Sequence, residues 1–130
     1  LYLMQEDYVE VLRCFEASRK ADPERSGGWI GSIIGLAELK RYDESYRLAE
    51  EFVTRRKTPY NRLLFATAAL KADRLREAEA EYRLLKDDKS MSVKATLGLI
   101  TTLMRRSEKE PSLLDEAANE YRTLFDRLEK

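Results

Sequence analysis

The sequence predicts an all-α protein. Charged residues make up 37% of its 130 residues, and only five Gly and three Pro interrupt it. Apolar residues recur at spacings of three and four, which is the period of an amphipathic helix. No stretch alternates apolar and polar residues for long enough to favour a strand.

Clusters of turn residues divide this helical pattern at regular intervals. Thr58 before Pro59 predicts a helix start in which the threonine caps the helix and the proline takes the first helical position. Ser112 with Asp115 predicts a second start that resembles a capping box. Between the clusters we expect seven helices, near residues 5–21, 28–40, 43–56, 60–72, 75–87, 91–106 and 112–129.

Comparison of the chain with itself reveals a repeat. Three segments that begin at Glu6, Lys40 and Ala72 share an opening with charged residues followed by an amphipathic helix. Their alignment places Val11, Ser45 and Ala78 in register, with separations of 34 and 33 residues (45 − 11 and 78 − 45). A period of this length with two helices per unit indicates a helical solenoid.

The repeat resembles the tetratricopeptide repeat (TPR), a helix-turn-helix unit of about 34 residues. Val11, Ile33 and Phe52 depart from its pattern, because each is larger than the residue usual at its position. In the last unit, the long turn between residues 105 and 111 holds about seven residues more than the TPR pattern, because the marks at 98 and 117 are 19 apart and those at 66 and 78 only 12. The matching residues are Tyr2, Tyr8, Phe15, Ser18, Pro23, Trp29, Leu36, Ser45, Ala49, Phe65, Ala66, Ala69, Ala78, Tyr82, Leu85, Leu97, Gly98, Ala117, Tyr121 and Leu124.

The resemblance implies a right-handed α-α superhelix of antiparallel helix pairs with about 3 to 3.5 repeats. We expect a single domain over residues 1–130 with a partial repeat at 1–24, repeats at 27–57 and 59–89, and a repeat with a long turn at 91–129. Leu1 to Met4 would be the last turn of a helix that begins earlier, so we expect the chain to be a piece of a longer protein.

The resemblance also implies an interaction scaffold, in which the first helix of each pair lines a concave wall that binds a peptide or helix of a partner protein within a larger assembly or secretion-type protein. Some TPR proteins hold a carboxylate on this wall with Lys and Asn, but here Lys71 is the only cation at the matching positions, so we expect no such clamp. By register, the wall residues expected to contact the partner are Ile30, Ile34, Glu38, Tyr60, Leu64, Thr67, Lys71, Leu99 and Thr102.

Two alternatives to this wall remain open at this point. The chain is a structural spacer or a self-association module that forms homo-oligomers through its terminal helices, residues 8–21 or 116–128. The other alternative places recognition in the long turn from Arg105 to Pro111, because turns beyond the norm of a repeat often carry binding residues.

Composition argues against several other functions. The chain has no His and a single Cys, so catalysis or metal binding through histidine is impossible within it. We expect no cofactor, no metal, no catalytic residues and no enzymatic activity, and we expect Cys14 to be a small buried side chain. The 24 basic and 24 acidic residues balance, which argues against a nucleic-acid partner. No apolar run predicts membrane insertion, and the compartment, cytoplasmic or periplasmic, stays open.

Overall fold

A computed structural model describes residues 5–129 of the chain. Within that range it contains seven α-helices and no strand, which confirms the all-α prediction. Each helix begins and ends within two residues of its predicted position. The predictions for Tyr2 and for Leu1 to Met4 lie outside the described residues. The helices are α1 (Gln5–Ala21), α2 (Ser26–Glu38), α3 (Tyr42–Arg55), α4 (Pro59–Lys71), α5 (Leu75–Leu85), α6 (Ser92–Arg106) and α7 (Leu113–Leu128).

The helices form two compact units that divide between residues 56 and 57, where the predicted repeat 27–57 ends. In the first unit α2 packs against both α1 and α3. In the second unit α5 packs against α4 and α6, α6 packs against α7, and α4 also touches α6. Each unit is therefore built from helices that contact their neighbours in sequence.

Two tight turns, one in each unit, have the same backbone geometry. Lys40 and Asp73 are 33 residues apart and have φ angles of 61° and 62°, in the left-handed region that few non-glycine residues adopt. The next N–H in each turn, from Arg41 or Arg74, donates to a carbonyl five residues earlier at 2.8 Å. This is the Schellman arrangement that ends a helix. The sequence repeat is thus also a repeat of backbone conformation.

The two predicted helix starts have different outcomes. Thr58 caps α4 as predicted, because its hydroxyl accepts a hydrogen bond from the Asn61 N–H at 3.1 Å and Pro59 takes the first helical position. The capping box at Ser112 is wrong. Ser112 already has helical dihedral angles (φ −60°, ψ −21°) and makes no capping hydrogen bond through its side chain, since a cap needs an extended backbone.

Glycines in α2 allow α1 to approach it closely. A Cβ atom at Gly28 would lie 2.5 Å from the backbone nitrogen of Arg19, and one at Gly31 would overlap the ring of Phe15. Leu12 is buried on the face that α1 turns toward this crossing. Cys14 lies two residues on, about 200° around the helix from Leu12. It is exposed, so the prediction that it is buried is wrong.

Adjacent glycines at the start of α2 give a matched test of this close crossing. Gly28→Ala should lower the free energy of unfolding by about 1 to 3 kcal/mol, because the new methyl group forces α1 away. Gly27→Ala meets no atom within 4 Å and should be neutral or stabilising by up to about 1 kcal/mol. Urea denaturation followed by circular dichroism measures both variants. Equal effects of the two substitutions would contradict the crossing described here.

Candidate functional site

The predicted wall residues fall in both units. Ile30, Ile34 and Glu38 lie on α2 of the first unit, where Ile34 and Glu38 are exposed and Ile30 is half-buried. On α4 of the second unit, Tyr60 and Lys71 are exposed. Leu64 and Thr67, also on α4, are half-buried. The surface described below lies wholly within the second unit.

Leu99 and Thr102 of α6 are fully buried, so they are unable to contact a partner. The prediction paired Gly98 with Ala66, an offset of 32 residues. In the structure Leu99 is buried as completely as Ala66, and Thr102 as completely as Ala69, which is an offset of 33. One residue of misalignment turns a helix by about 100°. The error therefore placed the core-facing side of α6 on the wall.

The exposed side of α6 is an apolar stripe that the prediction missed. Val93, Leu97 and Met104 are 43%, 48% and 54% exposed, and the half-buried Ile100 completes spacings of four, three and four residues. The residues 33 positions earlier on α4 are Tyr60, Leu64, Thr67 and Lys71. We call the two stripes together the α4–α6 surface, which comprises Tyr60, Leu64, Thr67, Lys71, Val93, Leu97, Ile100 and Met104.

Tyr82 of α5 joins the two helices beneath this surface. Its ring lies so close to Gly98 of α6 that a Cβ atom there would overlap it. Its hydroxyl lies 3.0 Å from the Thr67 hydroxyl of α4. Burial raises the pKa of the Tyr82 phenol, while the hydrogen bond with Thr67 and the charge of Arg105 act in the opposite direction. Tyr82 therefore sets the spacing of α4 and α6.

A second contact fixes the ends of the same two helices. Arg105 of α6 donates a hydrogen bond from Nη1 to the backbone carbonyl of Leu70 at 2.9 Å. This carbonyl lies in the last turn of α4, where carbonyls lack partners within the helix. The bond holds the carboxyl-terminal ends of α4 and α6 side by side.

The long turn after α6 is anchored by ion pairs. Arg106 pairs with Glu79 of α5 and, at 3.0 Å, with Glu110 of the turn. An open groove of about 520 Å³ lies between this turn and the start of α5, lined by Asp73, Leu75, Arg76, Arg105, Arg106, Glu108, Lys109 and Glu110. Four cations and three carboxylates nearly balance there, so the groove shows no clear preference for the charge of a ligand.

A third exposed patch lies on α7. Leu114, Tyr121, Phe125 and Leu128 are all about half exposed or more, and the rings of Tyr121 and Phe125 stack at 6.3 Å. With Ala118 these residues follow spacings of four and three, the period of a coiled-coil seam. We call this patch the α7 seam. It is the terminal-helix surface that self-association would use.

Among residues 5–129, no three Cys, Asp or Glu side chains come together so that they could hold a metal ion. None of the helices in that range combines the length and the apolar character required to cross a membrane. Comparison of the chain with protein-family models, curated proteins and solved structures found no match. The functional inference therefore depends on the exposed surfaces of the chain itself.

Proposed function

We propose that this chain is a protein-interaction scaffold of the TPR type, a family in which helix pairs stack as a right-handed superhelix. The equal backbone geometry of the turns at Lys40 and Asp73 supports a repeat built from helix pairs. The position of Tyr82 between α4 and α6 supports close packing of the first helices of successive pairs. The proposal assigns no catalytic step, cofactor or metal to the chain.

The observation that carries the binding role is the α4–α6 surface. Val93, Leu97 and Met104 expose contiguous apolar area beside Tyr60 of α4. Aromatic and methionine side chains are enriched where proteins bind one another. Contiguous exposed apolar patches on a folded protein usually mark interaction sites. A peptide or a helix of a partner protein would cover this surface.

Charge insertion into the surface tests the proposal. A Leu97→Glu, Met104→Glu variant should lose a partner that the parent chain captures from a lysate of the source cells, because the carboxylates have no partner in an apolar interface. The fold should persist, since both side chains are about half exposed. Quantitative mass spectrometry of the captured proteins measures the loss, and circular dichroism checks the helices.

The matched control is Leu84→Glu on α5, because Leu84 is also an exposed leucine but lies outside the surface. It should capture the partner as the parent chain does. Equal capture by all three proteins, or capture by none, would overturn the proposed use of the α4–α6 surface.

Self-association is the second candidate, and the α7 seam favours it. Coiled-coil spacing on an exposed helix is suited to pairing with a second copy of the same helix. In that case the same capture experiment recovers an untagged copy of the chain itself. A Phe125→Glu variant would lose that copy, whereas the Leu97→Glu, Met104→Glu variant would retain it.

A further inference from the structure

Charge in the second unit is divided between alternate helices. Helices α4 and α6 carry five basic residues and no acidic residue, whereas α5 and α7 carry seven acidic residues. The whole chain has no net charge. The basic character of α4 and α6 is therefore local, and these are the helices that form the α4–α6 surface.

Internal ion pairs neutralise two of the five cations. Arg62 lies 3.4 Å from Glu81, and Arg106 pairs with Glu79 and Glu110. Lys71 and Lys94 form no ion pair within residues 5–129, and both are exposed. Arg105 is exposed, and its printed hydrogen bond is to the neutral carbonyl of Leu70. Three cations thus remain without a compensating carboxylate.

These three cations lie at the two ends of the apolar stripe. Lys94 adjoins Val93 and is one helical turn from Leu97. Lys71 ends the stripe on α4, and Arg105 follows Met104 on α6 beside the end of α4. The separation of Lys94 and Arg105 is 11 residues (105 − 94), or about 16 Å along a helix. An apolar centre with a cation at each end is the resulting pattern.

We infer that the α4–α6 surface binds an acidic amphipathic helix of a partner protein. This inference rests on the proposed function and adds the chemistry of the partner. Apolar residues of the partner, spaced three and four apart, cover Tyr60, Leu97 and Met104. Its carboxylates, about three turns apart, meet Lys94 at one end and Lys71 with Arg105 at the other. Recognition uses side-chain carboxylates and does not need a free carboxyl terminus.

A peptide library tests the charge preference directly. Randomised peptides of about 15 residues, which span about 22 Å as helices, are displayed on phage and selected against the whole chain. Peptides that also bind the Leu97→Glu, Met104→Glu variant are removed. We expect the enriched sequences to combine helically spaced apolar residues with Asp or Glu at both ends. Their affinity, measured by fluorescence anisotropy, should fall as salt rises.

Charge reversal identifies the cations responsible. A Lys71→Glu, Lys94→Glu variant should bind an enriched peptide about three- to tenfold more weakly, as expected for exposed ion pairs. Replacement of the peptide's carboxylates by lysines should restore that loss. Arg122→Glu on the exposed side of α7 is the control, because it reverses a charge outside the surface. It should leave the peptide's affinity within about twofold of the parent value.

Each outcome separates the inference from the proposed function. Enrichment of peptides without an excess of Asp and Glu would overturn the acidic partner and leave the binding surface intact. Failure to enrich any peptide over the Leu97→Glu, Met104→Glu variant would overturn both. If sedimentation shows a dimer of the parent chain that this variant lacks, the occupant is a second copy and the inference is wrong.

Discussion

Replacing Trp29 with alanine should destabilise the first unit by about 3 to 5 kcal/mol, the range for truncation of a large buried aromatic side chain. Trp29 is 3% exposed, and its ring stacks on Phe52 of α3 at 5.4 Å. Its Nε1–H donates to the carbonyl of Pro23 at 2.9 Å. Truncation leaves a cavity between α2 and α3 and removes the donor of that bond. Urea denaturation followed by circular dichroism measures the loss.

Two guanidinium groups add to the cost of this substitution. Arg19 of α1 and Arg55 of α3 each place Cζ 5.2 Å from the centre of the indole ring. An indole is the best aromatic partner for such a cation. Loss of Trp29 therefore removes a contact shared by all three helices of the unit.

Trp29→Phe is the matched control for this prediction. The phenyl ring retains stacking on Phe52 but lacks the Nε1–H group and part of the buried area, so the expected loss is about 1 to 2 kcal/mol. A Trp29→Ala variant within about 1 kcal/mol of the parent chain would show that the first unit does not depend on this cluster.

The helices were predictable because turn residues and apolar spacing indicate the same boundaries. Thr58 and Pro59 mark the start of α4 through local chemistry that does not depend on the rest of the chain. The 33-residue interval between Ser45 and Ala78 gave the repeat, and both residues are buried as that register requires. Local signals of this kind are complete in the sequence itself.

The exposed face of α6 was not predictable from the residues used to align it. Gly98 and Ala66 are both small, so pairing them looked reasonable, although it shifts the helix by one residue. Only the burial of Leu99 and Thr102 resolves the register, because burial depends on which helices pack against α6. The 33-residue interval of the preceding repeat, applied again from Leu64, would have led to Leu97.

The cations of the surface were missed for a different reason. Lys94 and Arg105 lie beside the stripe rather than on a position that the repeat pattern marks. Their availability depends on partners in space, since Arg62 and Arg106 of the same helices are neutralised by carboxylates from other segments. Sequence shows the charges but does not show which of them are paired.

Replacing Tyr82 with alanine should destabilise the second unit by about 3 to 5 kcal/mol. Tyr82 is 2% exposed and fills the space between Thr67 of α4 and Gly98 of α6. Without it, nothing of similar size separates the two helices beneath the α4–α6 surface. Far-ultraviolet circular dichroism measures the transition. Fluorescence of Trp29, the only tryptophan, shows whether the first unit unfolds with the second.

Tyr82→Phe separates the role of the ring from that of the hydroxyl. The ring still fills the gap, so the loss should be only about 1 kcal/mol, the net value of a hydrogen bond with Thr67. The two variants should also differ in alkali. Because burial raises the pKa of the Tyr82 phenol in the folded chain, its contribution to the free energy of unfolding is fully present below the unfolded pKa of about 10 and is lost as pH rises toward the folded value. Tyr82→Phe should therefore lose less stability between about pH 9 and pH 11 than the parent chain. An equal alkaline loss in both proteins would show that Tyr82 does not stay protonated between α4 and α6.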